Sequence, residues 1–542
     1  MTLDSPSGFL RRRLYFALLC APLAAQTPVL QDEAERLRQA FVHWGEGGSA
    51  PASAPLHQAS AFTGAVALVA IAPGGTARTP LLDGGGLGTV LNGTGLAWQL
   101  GWSSGGFEVD TTFLAVHGSG DQADRLRLFQ GRLGYRSERG WRFALERMPF
   151  QWGYGITGGY LFGTSARTFP RAVLETPAVD LSVFGVPLGN WGFEAFLGKL
   201  GADQQVPDWA ADREQILAAA RTQGGIVQKA FQGGYRLKAR FGSSLEMNFA
   251  VSSQWGGIAA DGRKVTDGYG FRDYLSSFLG SQNIGVSEAS GDPGNPSGGP
   301  TKSQSNGIAN VEMRFRPSWL AELAGAKGAF AYISRGAENV NWQWKDFLHH
   351  PLQAIWHDVK SDATTSPRTV WHKDRREASP NLQWPNEAVG LQFTWDHADL
   401  GIEYLDNRTG EVPGHGYQTY SHWFFLAGHS NGGDPMGDAF GGSIITRTVS
   451  WGWKQQGWSV RGIFTDGLRT FKDDLIAWKA AHPGFSPMPN HFQHAELQGT
   501  LAFAEKWSIG ASLAFQREQK LHFEPGLNAR GTNAVVAISR RF

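Results

Sequence analysis

The chain has 542 residues, of which 71 are glycine, and 12% are aromatic, whereas glycine makes up about 7% of an average protein. Its net charge of +1 gives no reason to expect a nucleic-acid partner. No run of residues approaches the roughly 18 consecutive apolar residues that a membrane-spanning helix needs, so only strands would be available to cross a membrane.

Residues 1–25 have the pattern of a secretory signal peptide. Three arginines at positions 11–13 precede an apolar run over residues 14–25 that ends in small side chains, which predicts cleavage before Gln26. The only cysteine, Cys20, lies inside this segment. The mature protein is therefore expected to have neither disulfides nor thiol chemistry.

Residues 26–60 are predicted to form a periplasmic helix and linker. Residues 32–44 have helical spacing of apolar residues with acidic side chains in the first turn, and Gly45 is a stop signal. Residues 49–60 are rich in proline and small residues and lead into the first strand. The helix either caps the periplasmic mouth of the fold or serves as a spacer.

Residues 61–542 are predicted to form an all-β transmembrane antiparallel β-barrel. Alternation of apolar and polar residues, the pattern of a strand with two different faces, occurs in eighteen runs. These predicted strands are 61–72, 88–102, 107–117, 126–138, 141–149, 178–188, 191–200, 230–242, 245–256, 306–317, 328–336, 387–397, 399–407, 443–455, 458–466, 493–505, 507–518 and 533–542.

The connections between these runs support an outer-membrane barrel. Short connections alternate with long ones, and the long ones are 150–177, 257–305, 337–386, 408–442 and 467–492. Outer-membrane barrels have short periplasmic turns and long outer loops, and an even number of strands returns both ends to the periplasm. We expect a few short helices at the periplasmic end or in loops, with residues 208–221 and 471–481 as candidate plugging helices.

The last run needs a partner for its open edge, and the first strand would supply it if the barrel closes. The run ends on Phe542, and a terminal phenylalanine is what outer-membrane barrels usually present to the barrel-insertion machinery. That machinery and outer-membrane lipid, including lipopolysaccharide, are therefore expected partners.

Alternation also assigns the two faces of each strand. The residues predicted to face lipid on two neighbouring strands are Leu245, Met247, Phe249, Val251, Trp255, Tyr235, Leu237, Ala239 and Phe241. The bases predicted to face the lumen are Arg236, Lys238, Arg240, Arg314, Arg316, Arg132, Arg136, Arg142 and Arg461. They form either a track for an acidic ligand or ion pairs with inward carboxylates, and the near balance of the two signs favours ion pairs.

No motif carries a convincing catalytic or metal site. Residues 428–432 spell G-x-S-x-G, but Asp434 and a proline follow, instead of the helix that a nucleophile elbow requires. His349 and His350 are adjacent and lack the spacing of zinc ligands. We therefore expect no enzyme activity, no cofactor and no metal.

Two loop stretches resemble the Wzi family of outer-membrane capsule assembly proteins. Residues 151–177 contain W-G-x-G followed by A-R-x-x-P, and residues 427–440 contain Gly-His followed by Gly and Asp. The residues that carry this resemblance are Trp152, Gly153, Gly155, Arg167, Pro170, Gly428, His429 and Asp434. The resemblance implies an eighteen-stranded barrel that acts as a lectin, holding capsular polysaccharide at the cell surface without chemistry. The alternative role of these residues is architectural, as a loop folded into the lumen.

The predicted loop 337–386 is the strongest candidate for a ligand surface. It contains Trp342, Trp344, Trp356, Trp371 and Trp384, and the bases Arg375 and Arg376 lie nearby. Indole rings stack on the apolar faces of sugars, and arginine binds acidic groups by charge-assisted hydrogen bonds. The alternative is that these tryptophans form the loop's own core. The leading function is binding of extracellular or capsular polysaccharide by a monomer, and the alternative is a porin or substrate-specific channel.

Overall fold

The computed structural model describes most of the predicted barrel. The described residues are 61–75, 77, 79–80, 82, 92–119, 126–201, 226–259, 262, 264, 266, 269–279, 305–338, 386–407, 429–431, 434–442, 444–469, 490–504, 506–520 and 526–541. The predicted signal peptide, the predicted helix at 32–44 and the candidate plugging helices at 208–221 and 471–481 lie outside these residues and stay predictions.

The described part of the chain is dominated by strands. In chain order they are β1 (Ala61–Gly75), β2 (Asn92–Ser104), β3 (Phe107–Ser119), β4 (Leu126–Arg136), β5 (Arg142–Arg147), β6 (Arg171–Glu175), β7 (Val179–Val183), β8 (Val186–Lys199), β9 (Ile226–Gln228), β10 (Phe231–Phe241), β11 (Leu245–Trp255), β12 (Ile258–Ala259), β13 (Ser305–Phe315), β14 (Gly328–Glu338), β15 (Asn386–Thr394), β16 (Ala398–Asp406), β17 (Ser430–Asn431), β18 (Asp434–Pro435), β19 (Ile444–Gln455), β20 (Trp458–Arg469), β21 (Asn490–Ala504), β22 (Trp507–Gln519) and β23 (Asn528–Arg541).

The large sheet closes on itself as an antiparallel barrel. Each barrel strand pairs with its sequence neighbour, and β23 pairs with β1 from Ala65 opposite Arg541 to Gly75 opposite Gly531. The two short strands β6 and β7 both pair with β8 and together occupy one position in the ring. The barrel therefore has eighteen strand positions, which confirms the predicted fold class and its closure between first and last strands.

One predicted strand, 178–188, was wrong. A tight turn at Phe184 and Gly185, both with positive φ, divides it between β7 and β8. The predicted run at 191–200 is the continuation of β8, and the strand position before it is completed by β6, which lies in the predicted loop 150–177. The alternation continues through the turn at residues 184–185, so the pattern alone did not reveal it.

The connections separate the barrel into two ends. Tight turns, such as Gly105 and Gly106 between β2 and β3, join strands at the end where β1 begins and β23 finishes. The connections after β1, β5, β8, β11 and β16 are much longer and leave from the opposite end. These are called the short-turn end and the long-loop end below.

The predicted faces are observed on most strands. Leu513 and Leu497 point outward and are about half exposed, at 50% and 49%, whereas the alternating residues Ala514 and Glu496 point into the lumen and are buried. Four residues predicted to face lipid on β10 and β11 differ, because Ala239, Tyr235, Val251 and Trp255 are almost fully buried. A helix that the sequence pattern did not predict covers Tyr235, Val251 and Trp255.

That helix is α1 (Phe271–Phe278), on the connection between β11 and β13. A second helix, α2 (Ser318–Leu323), lies between β13 and β14 at the short-turn end. Neither described helix is long and apolar enough to span a membrane.

Candidate functional site

Segments from three long-loop connections meet inside the barrel. The segment of residues 148–170 between β5 and β6, called the plug loop, runs across the lumen. Residues 429–442 before β19, called the latch loop, lie against it, with Gly163 N donating to Met436 O at 2.6 Å and Ala439 N donating to Thr157 O at 3.1 Å. Leu82, from the connection after β1, joins them by accepting at its carbonyl from the Thr164 hydroxyl at 2.9 Å.

Trp152 fixes the start of the plug loop to the wall. Its indole is 2% exposed and packs edge-on against Phe162 and Phe196, with ring centroids 5.2 Å apart in both pairs. The indole Nε1–H donates to Glu194 Oε1 at 3.0 Å, and the guanidinium of Arg236 lies 5.3 Å from the ring centroid. Trp152 is therefore held by packing, a hydrogen bond to a carboxylate and a cation–π contact.

The middle of the plug loop contacts the next strands around the wall. Tyr154 accepts a hydrogen bond at its hydroxyl from Asn248 of β11 at 2.8 Å, and its ring lies 4.5 Å beneath the guanidinium of Arg314 of β13. Its backbone carbonyl accepts from Gln392 of β15 at 3.4 Å. Burial raises the pKa of Tyr154, so its hydroxyl stays protonated.

Two buried carboxyl groups meet the plug loop at Thr157. The Thr157 Oγ1 lies 2.5 Å from Asp438 Oδ2 of the latch loop and 3.1 Å from Glu403 Oε1 of β16. Glu403 also accepts from Ile156 N at 2.9 Å and from the Tyr332 hydroxyl of β14. Asp438 accepts from Phe440 N at 2.9 Å. The cluster joins plug loop, latch loop and barrel wall at one point.

This cluster contains a shared proton. A hydroxyl has one proton to donate, so Thr157 satisfies two carboxylate oxygens only if one carboxyl group carries a proton of its own. Burial, helped by the nearby Glu403 charge, raises the pKa of Asp438 from 3.8 to about 7. One of the two carboxyl groups therefore carries a proton, and the raised pKa favours Asp438 for that role.

His429 joins the latch loop to the plug loop as a neutral ring. It is 2% exposed, and its ring centroid lies 5.3 Å from that of Phe162. Burial lowers the pKa of His429 to about 4. Its Nε2 contacts the carbonyl oxygen of Leu161, which only accepts, so Nε2 carries the hydrogen. This role is structural packing between two loops.

Glycine is required where the plug loop turns back on itself. A Cβ at Gly159 would lie 1.9 Å from Trp152 O and 2.6 Å from Phe162 O, closer than any side chain tolerates. Gly153 has φ of +135° and faces Glu312 of β13, which a Cβ would approach to 2.5 Å. A Cβ at Gly155 would lie 2.0 Å from Gly158 O, so both glycines of the W-G-x-G stretch, like Gly159, serve close packing in the lumen.

A buried network of charges supports the base of the plug loop. Arg171 contacts Glu146 and donates to Met148 O at 3.0 Å, and its guanidinium lies 3.6 Å from the Phe150 ring centroid. Glu146 also pairs with Arg132 at 2.9 Å and with Arg142 at 2.7 Å. All these groups belong to β4, β5, β6 or the start of the loop, so the wall and the loop share one electrostatic network.

The predicted track of lumenal bases is an ion-pair network as well. Arg236 and Lys238 pair with Glu194 at 2.6 and 2.9 Å, and Arg240 lies 3.7 Å from Glu246. Arg314 also contacts Glu246. Of the two interpretations of these bases, the structure supports ion pairing within the wall.

One sector of the lumen is apolar. On the inner faces of β1 to β4, β22 and β23, the buried cluster consists of Ala67, Val69, Ile71, Ala97, Leu114, Val116, Phe129, Ala514, Val535 and Ala537. Water-filled barrels have polar interiors. This sector therefore differs from the wall of an aqueous channel.

The structure brings together most residues of the two family-like stretches. Trp152, Gly153 and Gly155 lie inside the lumen, Arg167 accepts at its backbone carbonyl from Asn431 at 3.0 Å, and His429 packs on the plug loop. The others are placed differently. Pro170 is exposed next to β6, Asp434 lies in the short strand β18, and Gly428 lies outside the described residues.

The candidate ligand-binding residues of the predicted loop 337–386 lie outside the described residues. They are Trp342, Trp344, Trp356, Trp371, Arg375 and Arg376. Thr157, Tyr332 and Asp438 were not singled out from the sequence, and inward carboxylates such as Glu403 were treated only as ion-pair partners. The alternation of β14 and β16 could have marked Tyr332 and Glu403 as an inward pair, whereas nothing local marks Asp438. No described group of His, Cys, Asp or Glu side chains is arranged to hold a metal ion.

Comparison with known proteins shows the fold of this chain. No family model and no curated protein match the sequence. Wzi of Escherichia coli, an outer membrane protein involved in group 1 capsule assembly and a carbohydrate-binding β-barrel, is similar, with a TM-score of 0.52, 13% identity, and coverage of 87% of this chain and 83% of Wzi. OprD of Pseudomonas aeruginosa has a TM-score of 0.41, 10% identity, and coverage of 92% and 98%. OccD3 of the same organism has a TM-score of 0.43, 7% identity, and coverage of 92% and 94%. The chain has the outer-membrane β-barrel fold.

Proposed function

We propose that this protein is a closed outer-membrane barrel that binds extracellular or capsular polysaccharide at the cell surface and helps to attach or assemble it there, without catalysis. The observation that carries the proposal is the packing of the plug loop against the latch loop and against the inner face of the wall from β8 to β16. A protein that holds a polymer at the surface has no need of an open channel.

The lumenal contacts favour this function over a diffusion channel. The plug loop touches β8 and β10 through Trp152, and β11, β13 and β15 through Tyr154. It touches β16 through Thr157. A substrate-specific channel would instead leave charged lumenal groups available, whereas Arg236, Lys238 and Arg240 are engaged by wall carboxylates.

The similarity to Wzi, itself a carbohydrate-binding barrel, agrees with the proposal, as do the two loop stretches that resemble its family. In this proposal the polysaccharide meets the protein at the long-loop end. Trp342, Trp344, Trp356 and Trp371 would stack on sugar rings there, with Arg375 and Arg376 for acidic substituents.

The experiment replaces Trp344, Trp356 and Trp371 by alanine one at a time in cells that make the polysaccharide. Retained surface polysaccharide and the thermal stability of the purified barrel are both measured. Loss of retention with unchanged melting is expected for residues that touch sugar. The matched control is Trp319→Ala, which removes an indole that is 60% exposed on α2, at the short-turn end.

The control variant should retain polysaccharide as the wild type does. If all three loop variants retain it equally well, or lose it only in step with lowered stability, the proposed sugar contacts are wrong. If a strain lacking the whole protein retains its polysaccharide, the proposed function itself is wrong.

A further inference from the structure

Helix α1 is attached to the outer surface of the barrel at its C-terminal end. The ring of Phe278 lies 6.0 Å from the rings of Tyr235 and Trp255, which point outward from β10 and β11. The Tyr235 hydroxyl donates to Leu279 O at 3.2 Å, and the Ser253 hydroxyl donates to the backbone carbonyl of Ser277 at 2.5 Å. The helix is thus fixed to the outside of the wall, on the side opposite the plug loop.

The remainder of α1 presents an apolar stripe that the described part of the chain leaves exposed. Phe271, Tyr274, Leu275 and Phe278 follow the spacing i, i+3, i+4 and i+7, which places them on one helical face. Phe278 packs on the wall, but the other three are 83%, 41% and 45% exposed. Arg272 lies outside this stripe, about 100° around the helix from Phe271, and is also exposed. A stripe of this kind indicates an interaction surface.

The position of α1 along the barrel identifies what covers the stripe. On β22 the last apolar residue of the outward face is Phe515, and the next residue on that face is Arg517. On β20 the outward-facing residue after Phe464 is Asp466. These changes mark the upper limit of the lipid-facing band. Trp255 lies as far along β11 as Arg517 lies along β22. Because the C-terminal end of α1 covers Trp255, and also Val251 further down β11, this end lies in the upper part of the apolar band, next to the polar rim.

We infer that α1 is an interfacial helix whose stripe of Phe271, Tyr274 and Leu275 inserts among the acyl chains of the outer leaflet beside β10 and β11. Phe278 is on the same helical face as these three residues and already packs on the outer surface of the wall. The stripe therefore continues the lipid-facing surface of the wall. Amphipathic helices lie in this way at a membrane surface, and tyrosine is enriched at that depth. This inference does not depend on the proposed polysaccharide function.

The test uses single cysteines, each labelled with a small fluorophore, in a protein that carries Cys20→Ala. The two stripe variants are Phe271→Cys and Leu275→Cys, and the matched control on the same helix is Arg272→Cys. A second control, Leu513→Cys, lies in the lipid-facing band. The proteins are refolded into phosphatidylcholine vesicles with bromine on the acyl chains near the headgroups, and quenching by bromine and by aqueous iodide is measured.

The stripe labels are expected to be quenched by bromine about twofold more than the Arg272 label, since the apolar face of an interfacial helix enters the membrane by about 5 to 10 Å. They should be protected from iodide, whereas the Arg272 label should not. Strong iodide quenching at all three helix positions would overturn the inference, because the helix would then lie in water. Protection from both quenchers would also overturn it, since protein would cover the stripe.

Discussion

Thr157 Oγ1 and Asp438 Oδ2 lie 2.5 Å apart inside the barrel, which joins a loop between β5 and β6 to a loop before β19 across 281 residues of sequence. The contact is completed by the Glu403 carboxylate on the wall, 3.1 Å from the same hydroxyl. The plug loop, the latch loop and the barrel wall therefore meet at this point, and their contact requires a proton on one of the two carboxyl groups.

The first prediction concerns pH. The pKa of Asp438 is higher in the folded state, at about 7, than the ordinary 3.8. Its proton therefore stabilises the docked latch loop fully below the ordinary pKa, and this contribution is lost as pH rises through about 7. In Asp438→Asn the amide stays neutral and donates to Thr157 at every pH. Hydrogen exchange of residues 434–442, corrected for intrinsic rates, should show growing extra protection in the variant from pH 4 to 7.

The comparison of wild type with Asp438→Asn separates the effect of Asp438 from that of His429. Because burial lowers the pKa of His429, its contribution to stability is lost as pH falls, and this loss is the same in both proteins. The control is Asp466→Asn at the outer rim, where the carboxylate pairs with His491 at 2.8 Å and is remote from the plug. A difference between wild type and Asp438→Asn that stays constant over the range would contradict the shared proton.

The second prediction concerns the close packing of the plug loop. In Gly159→Ala, the added methyl group would meet Trp152 O at 1.9 Å, so the loop has to move out of its place. Bilayer conductance should change from closed to partly open in this variant. The control is Gly328→Ala, where nothing lies within 4 Å of the added Cβ. Equal conductance of the two variants would mean that this packing does not close the lumen.

The third prediction concerns the anchor of the plug loop. Trp152→Phe keeps an aromatic ring but removes the hydrogen bond from Nε1 to Glu194. Leaving a buried acceptor with one partner fewer costs about 1 to 3 kcal/mol, which urea unfolding of the refolded barrel would measure. Trp319→Phe, at an exposed indole, should change stability by less than about 0.5 kcal/mol. A loss of the same size in both variants would show that the Glu194 contact is not stabilising.

The fourth prediction concerns the membrane register. Leu513 points outward on β22 and is 50% exposed, so Leu513→Arg should cost about 2 to 4 kcal/mol if it lies near the membrane midplane. Its neighbour Ser512 points inward, with its hydroxyl 3.1 Å from Glu496, so Ser512→Arg places the new charge beside a carboxylate. Refolding titrations in lipid vesicles should show a clear difference, and equal costs would contradict the assigned faces.

The barrel was predictable because its signals repeat along the chain. Each strand alternates with a period of two, and lipid on one side and packed lumen on the other force side chains such as Leu513 and Ala514 to opposite faces. Closure followed from the need to pair the last strand. The same reasoning failed at residues 178–188, where a hairpin turn preserves the alternation, and at Val251 and Trp255, which α1 covers.

The site was less predictable because it depends on contacts distant in sequence. Trp152, Gly153 and His429 were found through their resemblance to a family, and the structure confirms only that they lie together in the lumen. Asp438 and Thr157 have no local signature, since a buried aspartate and a threonine acquire their roles only when two loops meet inside the lumen. Their chemistry is a property of the tertiary fold.

Single-channel recording in a planar bilayer tests the central claim most directly, because the claim is that loops close this barrel. Purified wild-type protein should show no large steady conductance, and Gly159→Ala should show a partly open state in the same lipid and salt. A large steady open state of the wild-type protein would contradict the account and identify the barrel as a channel.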